Sequence, residues 1–483
     1  MNTQKITIDP VTRVEGHGKV TVHLDEKGKV SDAFFHIVEF RGFERFIQGH
    51  PYWEAPVIVQ RLCGICPVSH HLAAAKAIDQ IVGIDPHTLP PAATKLRRLM
   101  HFGQVLQSHA LHFFYLASPD LLFGKDLPYY KRNVTQVAIE HKELALRGIM
   151  LRKFGQEVIK AVAGKKIHGV LAVPGGVHKT LLEAERQSFL NEGDIPSITT
   201  VKKWIVDSLN FLKDYHEKNS SWMETFATFS SGHLGLVRPD GGLELYNGLL
   251  RAVNGKGEED LLIKDVDYAD HFNEEVKEWS FMKFPYLNKI GREEGWNRVG
   301  PLARMNVCSF IPTELAENER KEFFSFGGGH PINKTMYYHW ARLIEMLHCA
   351  EEIEKLLHDP EIMSTDLRSK GERRNEGIGI IEAPRGTLIH HYLVDDIGMI
   401  TKCNLIVSTT HNNEAMNRAV RWVADRTLSY QPEITESMLN QIEVAIRAYD
   451  PCLSCATHAI GQMPLNVRLY DHDENLIDEK NKS

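Results

Sequence analysis

The spacing of apolar and polar positions changes several times along the chain. Near the start it alternates: Lys5-Ile-Thr-Ile8, Lys19-Val-Thr-Val-His23 and Ala33-Phe-Phe-His-Ile-Val38 each put every second residue on one face, as half-buried strands do. Asp25-Glu-Lys-Gly28 supplies a turn between the last two, so a small N-terminal sheet is predicted. From Arg61 the steps become three and four, and His70-His-Leu-Ala-Ala-Ala-Lys-Ala-Ile-Asp79 reads as a helix. Two long helices are expected between Pro91 and Gly164, broken near Ser118-Pro-Asp120 and Asp126-Leu-Pro128 and apolar enough to form a bundle core. Leu171-Ala-Val-Pro-Gly-Gly176 interrupts as a turn. Further helices are predicted over 199–226, 333–357, 413–426 and 435–449. Strands at Gly377-Ile-Gly-Ile-Ile381, Gly386-Thr-Leu-Ile-His-His-Tyr392 and Met399-Ile-Thr-Lys-Cys-Asn-Leu-Ile-Val407 surround the turn Asp395-Asp-Ile-Gly398. Residues 461–470 can form a strand, and 471–483 read as a charged, frayed tail. The pattern predicts an α+β fold, mostly α, with a large helical bundle core and small peripheral β-sheets.

Composition narrows the function classes. The 483 residues carry a net charge of -7 with Lys and Arg dispersed, which argues against nucleic acid as a partner. No apolar signal core opens the chain and no apolar run reaches about 18 residues, so a cytoplasmic protein without direct membrane insertion is expected. No Gly-x-Gly-x-x-Gly follows a strand, which removes the usual dinucleotide-binding signal.

Four of the seven cysteines change the picture most. Arg61-Leu-Cys-Gly-Ile-Cys-Pro-Val-Ser-His70 and Asp450-Pro-Cys-Leu-Ser-Cys-Ala-Thr-His458 each hold a Cys-x-x-Cys followed by a histidine, at opposite ends of the chain. Two such pairs complete a four-sulfur shell once the fold joins them. A structural zinc site is one reading, but zinc ribbons close loops of about 15 to 20 residues in domains that need the staple. This chain is long and 43% hydrophobic. A redox disulfide within each pair is a second reading, although neither pair follows a thioredoxin-like strand. A buried thiolate site for a soft transition metal fits better, with the first pair opening a helix whose amide dipoles favour thiolate. Cys308, Cys349 and Cys403 read as buried small hydrophobes.

The two motifs, with Asp9-Pro-Val-Thr-Arg-Val-Glu-Gly-His-Gly18, Glu39-Phe-Arg-Gly-Phe-Glu44, Pro174-Gly-Gly-Val177 and Glu382-Ala-Pro-Arg-Gly386, resemble the large subunit of nickel-iron hydrogenases, in particular the cytoplasmic NAD-reducing branch. The resemblance spans the chain and is weakest over 190–270. It implies reversible splitting of H2 at a nickel-iron centre, with electrons passing through partner subunits to NAD. Alternatives are the same chemistry coupled to NADP or a deazaflavin coenzyme, or a non-catalytic relative like the quinone-binding subunit of respiratory complex I, which lacks the four cysteines. Nickel would be bound by Cys63, Cys66, Cys452 and Cys455, with Cys66 and Cys455 bridging to an iron that carries cyanide and carbon monoxide.

The same resemblance assigns further roles. Cys452 would accept the proton and Glu15 would pass it outward, against an Arg13–Glu15 ion pair as the structural alternative. Arg385 and Ser408 would donate to the cyanides, with Pro384 beside them, and His70 to a sulfur, unless it is simply a core histidine. Asp450 and Asp120 would be acidic neighbours of the site. Glu44 and His458 would bind magnesium or iron, with a backbone carbonyl near Cys403 and Asn404. Residues 1–458 would form one catalytic unit, and 459–483 an extension removed after nickel insertion. The partners implied are an iron-sulfur small subunit, diaphorase subunits with flavin (FMN) and an NAD site, a maturation endopeptidase and nickel-insertion proteins. The absence of further cysteine motifs supports the need for such partners, because this chain has no ligands for Fe-S clusters.

Overall fold

The computed structural model describes residues 5–124, 128, 130–457, 465–470 and 476–482. A helical core runs through it, built from Pro91–Leu111, Lys142–Ala163, Ile198–Lys218 and Tyr338–His358, with Asn413–Leu428 and Glu436–Ala448 packed together beside it. The long apolar faces predicted from the sequence are the ones buried. None of the described helices is long and apolar enough to cross a membrane.

The first predicted break is not a break. After Pro91–Leu111 the chain continues through a π-helical turn, His112–Ala117, directly into Ser118–Phe123. Pro119 sits in the first turn after this wider segment, where its missing N–H and its ring are tolerated. The expected second break contains Asp126, which lies outside the described residues. The predicted 199–226 helix divides at Asn219 into Ile198–Lys218 and Ser220–Thr225.

Lys5–Ile8, Gly18–Leu24 and Val30–Ile37 form the predicted antiparallel N-terminal sheet. Glu376–Ala383, Gly386–Val394 and Ile400–Ile406 form a second one, joined at its first corner by the Ala383↔Gly386 turn. The Pro67–Ile81 helix lies flat on this sheet. Gly377 and Gly379 permit the approach, because a Cβ at either would stand 2.0 Å from the Ala77 or Ala73 carbonyl oxygen. This contact carries the first cysteine motif to the Pro384-Arg385 corner.

Two features escaped the sequence pattern. A four-stranded sheet in the order Asn297–Arg298, Gly232–Val237, Leu249–Val253, Glu259–Lys264 occupies the middle of the chain, and Glu314–Phe326 is a charged helix. At the end, Leu465–Tyr470 pairs antiparallel with Leu476–Lys482, so part of the expected frayed tail is a strand.

Candidate metal centre

The two cysteine motifs meet. Cys63, Cys66, Cys452 and Cys455 are buried, and their sulfurs all lie within 4.8 Å of one another. They pair across the motifs, Cys63 Sγ to Cys452 Sγ at 3.3 Å and Cys66 Sγ to Cys455 Sγ at 3.5 Å, with Cys452 and Cys455 2.9 Å apart. All seven cysteines are free, so neither pair is a disulfide. Cys66 caps the Pro67–Ile81 helix, as expected of a motif that opens a helix. Hydrogen bonds from the Cys452, Cys455 and Cys66 thiols pull the Cys63 pKa well below the ordinary range, whereas burial pushes Cys452 and Cys455 well above it. Four buried sulfurs in one group are a set of soft donors suited to a soft transition metal.

The N-terminal segment is stitched to the second motif. Glu15 and Cys452 form an isolated parallel bridge, and Leu453 N–H donates to the Glu15 carbonyl at 2.9 Å. Gly16, at φ 82, is where the chains touch, since a Cβ there would stand 2.8 Å from Leu453 Cβ. The Glu15 carboxylate accepts from Cys452 Sγ at 3.1 Å and from Ser454 N–H at 3.0 Å. Arg13 pairs with Asp120 and not with Glu15, which goes against the alternative of an Arg13–Glu15 ion pair.

Arg385 reaches the cluster from the strand corner. Its Nε donates to the Asp450 carbonyl at 2.6 Å and Nη2 to Asp450 Oδ1 at 3.0 Å. Burial works against its charge, but Asp450 and the cysteine sulfurs outweigh it and hold the guanidinium firmly protonated. Burial raises the Asp450 pKa despite Arg385 and Arg342. Asp450 adopts φ 54, and its Oδ2 is buried with no partner among the described residues.

Beside the sulfurs lies a small pocket lined by Cys66, Cys452, Cys455, His70, Pro384, Arg385 and Ser408 among others. Cys63 is not part of its wall. His70 Nε2 is 3.3 Å from Cys455 Sγ, which places this histidine at a sulfur rather than among purely apolar neighbours. Ser408 Oγ donates to the Gly386 carbonyl at 2.7 Å, while Thr409 Oγ1, not anticipated from sequence, accepts from Cys452 N–H at 2.9 Å.

Two assigned residues bond to groups other than the sulfurs. Asp120 makes its contacts in a separate ion-pair cluster with Arg13 and Arg447, which overcome burial and depress its pKa. Glu44 Oε1 accepts from Leu405 N–H at 2.8 Å, next to Cys403 and Asn404, where the backbone ligand of the third ion is expected. His458 lies outside the described residues. The preceding Thr457 carbonyl accepts from Arg41 and Gly42 N–H at 3.0 and 3.1 Å, so the chain arrives beside the turn that carries Glu44.

Comparison with known proteins agrees with this geometry. Residues 41–123 and 254–458 match the family model for nickel-dependent hydrogenases, and residues 5–40 match a model described as HoxL-like. The NAD-reducing hydrogenase HoxS subunit beta of Cupriavidus necator is 50% identical over 488 residues, covering 99% of each chain. One chain of the F420-non-reducing hydrogenase of Methanothermobacter thermautotrophicus is 42% identical, covering 98% of this chain and 99% of that one. Among solved structures, an NAD+-reducing NiFe hydrogenase in the H2-reduced state superposes with a TM-score of 0.91 at 53% identity, covering 94% of this chain and 100% of that chain. A nickel-iron-selenium hydrogenase from Desulfovibrio vulgaris Hildenborough shares the fold at 24% identity and a TM-score of 0.74, covering 95% of this chain and 100% of that chain.

Proposed function

Because the chain belongs to the nickel-dependent hydrogenase family as a large subunit, we propose that its four cysteines hold nickel and iron and that it activates H2 for a complex that reduces NAD. The observation that carries this reading is the meeting of four buried thiol groups from both chain ends beside a pocket that Cys66, Cys452 and Cys455 help to line. Cys63 and Cys452 would hold nickel, and Cys66 and Cys455 would hold both nickel and iron. The pocket walls suit small anionic ligands: Arg385 offers a buried, charged guanidinium, and Pro384 closes one side. Ser408 would serve a cyanide only by turning its hydroxyl from Gly386.

When bound, the metal pair supplies the two-electron chemistry that separates H2 into protons and electrons. The chain's own residues handle the proton. Cys452 Sγ lies 3.1 Å from the Glu15 carboxylate, so Glu15 is placed to take a proton from that sulfur and release it outward. Its second bond, from Ser454 N–H, keeps the carboxylate aimed at the sulfur. Asp450 holds Arg385 in place, whereas Asp120 braces Arg13 at the root of the Glu15 segment.

Glu44 and His458 would bind the third ion, magnesium or iron; the arrival of Thr457 beside Gly42 supports this placement. Residues 459–483 would then be an extension removed by an endopeptidase once nickel-insertion proteins have acted. Electrons would leave through an iron-sulfur small subunit, then through diaphorase subunits with flavin and NAD, in the cytoplasm. The purified complex should reduce NAD+ with H2. A complex that oxidises H2 yet passes electrons only to another acceptor would overturn the NAD linkage while leaving the metal site standing.

A further inference from the structure

Behind the Cys455 sulfur, three buried side chains form a line. His70 Nε2 stands 3.3 Å from Cys455 Sγ, His70 Nδ1 stands 3.1 Å from His390 Nε2, and His390 Nδ1 stands 2.7 Å from the Tyr392 hydroxyl. His390 and Tyr392 are two residues apart on Gly386–Val394, so they share the face on which the Pro67–Ile81 helix packs. His391 points the other way, to Tyr268 and Glu376.

Hydrogen-bond accounting gives this line a direction. A sulfur that bridges two metals is a thiolate and can only accept, so the His70 nitrogen facing Cys455 must carry the proton. A neutral imidazole has one donor and one acceptor, so His70 Nδ1 must then receive from His390 Nε2–H. His390 Nδ1 in turn must receive, and a tyrosine hydroxyl always has a proton to give. With either ring in its other tautomer, two lone pairs or two protons would face each other inside the core, where the low dielectric makes that opposition costly.

Resting on the nickel-iron reading above, we propose that Tyr392 and His390 are positioning residues: Tyr392 fixes the tautomer of His390, which fixes that of His70, so that a proton is always directed at the bridging sulfur of Cys455. A hydrogen bond onto that sulfur withdraws electron density from the metals it joins, so a phenol two histidines away sets the electronic character of the centre.

The test uses the purified complex and the infrared band of the iron-bound carbonyl, a readout that simple loss of packing does not direct. Tyr392→Phe keeps the buried ring and removes only the donor. Its carbonyl band should move to lower wavenumber at unchanged nickel and iron content, because a sulfur that loses its hydrogen bond pushes more density onto iron. His390→Gln carries an amide N–H that can reach His70 without help from Tyr392. Its band should stay near the parental position, and adding Tyr392→Phe to it should produce no further shift. A Tyr392→Phe band that coincides with the parent, or an equal shift in both backgrounds, overturns the proposal. If Tyr392→Phe fails to load metal, loading by the double variant supports the ordering role and failure of both contradicts it. A parental complex with no carbonyl band at all overturns the nickel-iron reading, and this inference falls with it.

Discussion

Two buried polar clusters stand close together in this protein, and they are finished to different degrees. Every N–H of the Arg304 guanidinium has a partner, and the one orphan nearby is the buried His109 Nδ1, which has none among the described residues. Nε and Nη2 bind Glu345, Nη1 binds Glu382 at 2.7 Å, and the remaining two N–H groups reach the Ala383 and Pro384 carbonyls at 2.9 and 3.1 Å. His109 Nε2 closes the second oxygen of Glu345 at 2.9 Å, while Thr387 and Leu236 N–H complete Glu382. The cysteine cluster is open: four sulfurs face one another, Asp450 Oδ2 has no partner among the described residues, and a pocket adjoins them. Burying polar groups is costly unless their bonds are made, so a closed network reads as framework and an open one as the seat of a ligand. The two are also joined, since Arg304 holds the carbonyls of Ala383 and Pro384, directly before Arg385.

The contrast breaks first at the framework. Arg304→Met leaves Glu345 and Glu382 buried without their cation and should cost about 3–5 kcal/mol, read as a fall in melting temperature with metal lost as a consequence. Cys66→Ser should do the reverse, with nickel and iron lost while the circular dichroism spectrum and melting of the metal-free chain stay close to those of the metal-free parent. Equal unfolding by both variants would erase the distinction between the clusters.

Acid should sharpen it. Burial lowers the pKa of His71, His101 and His109 from 6.5 to about 4. The unfolded chain therefore binds these protons first, so stability is complete above pH 6.5 and declines as the pH falls towards 4. Glu345 is held at about 2 against 4.5, burial being outweighed by Arg304, so its contribution persists above pH 4.5 and is lost only as the pH drops towards 2. Thermal melting between pH 7 and 4 should show the histidine decline; a flat profile would mean that these imidazoles are not buried neutral.

Glu15→Gln is the mildest change structurally. The amide oxygen still accepts from Ser454 N–H, metals should remain, and melting should be unaltered. Hydrogen–deuterium exchange should nonetheless fall by about 10²-fold or more, because the titrating group is gone. Exchange at the parental rate would place the proton exit elsewhere.

The open cluster was far more legible in the sequence than the closed one. Cys63, Cys66, Cys452 and Cys455 announce themselves by local spacing, and Glu15 and Arg385 sit in short motifs that resemble a known family. Arg304, Glu345 and Glu382 have no such local signal, because their partners are separated by 41 and 78 residues. Asp120 shows what a motif leaves out: its ion pairs with Arg13 and Arg447 join residues 107 and 327 positions away and have no local signal. The π-helical turn before Pro119 hid the continuity of a helix that a proline would otherwise end. His390 and Tyr392 were visible as one face of a strand, but nothing local tied that face to His70, 320 residues away in the chain.

Metal analysis joined to infrared spectroscopy on the purified complex tests the central claim most directly. One nickel and one iron at the four-cysteine site, with bands from cyanide and carbon monoxide bound to iron, is the expected result. Stoichiometric zinc, with no nickel and no such bands, would contradict it.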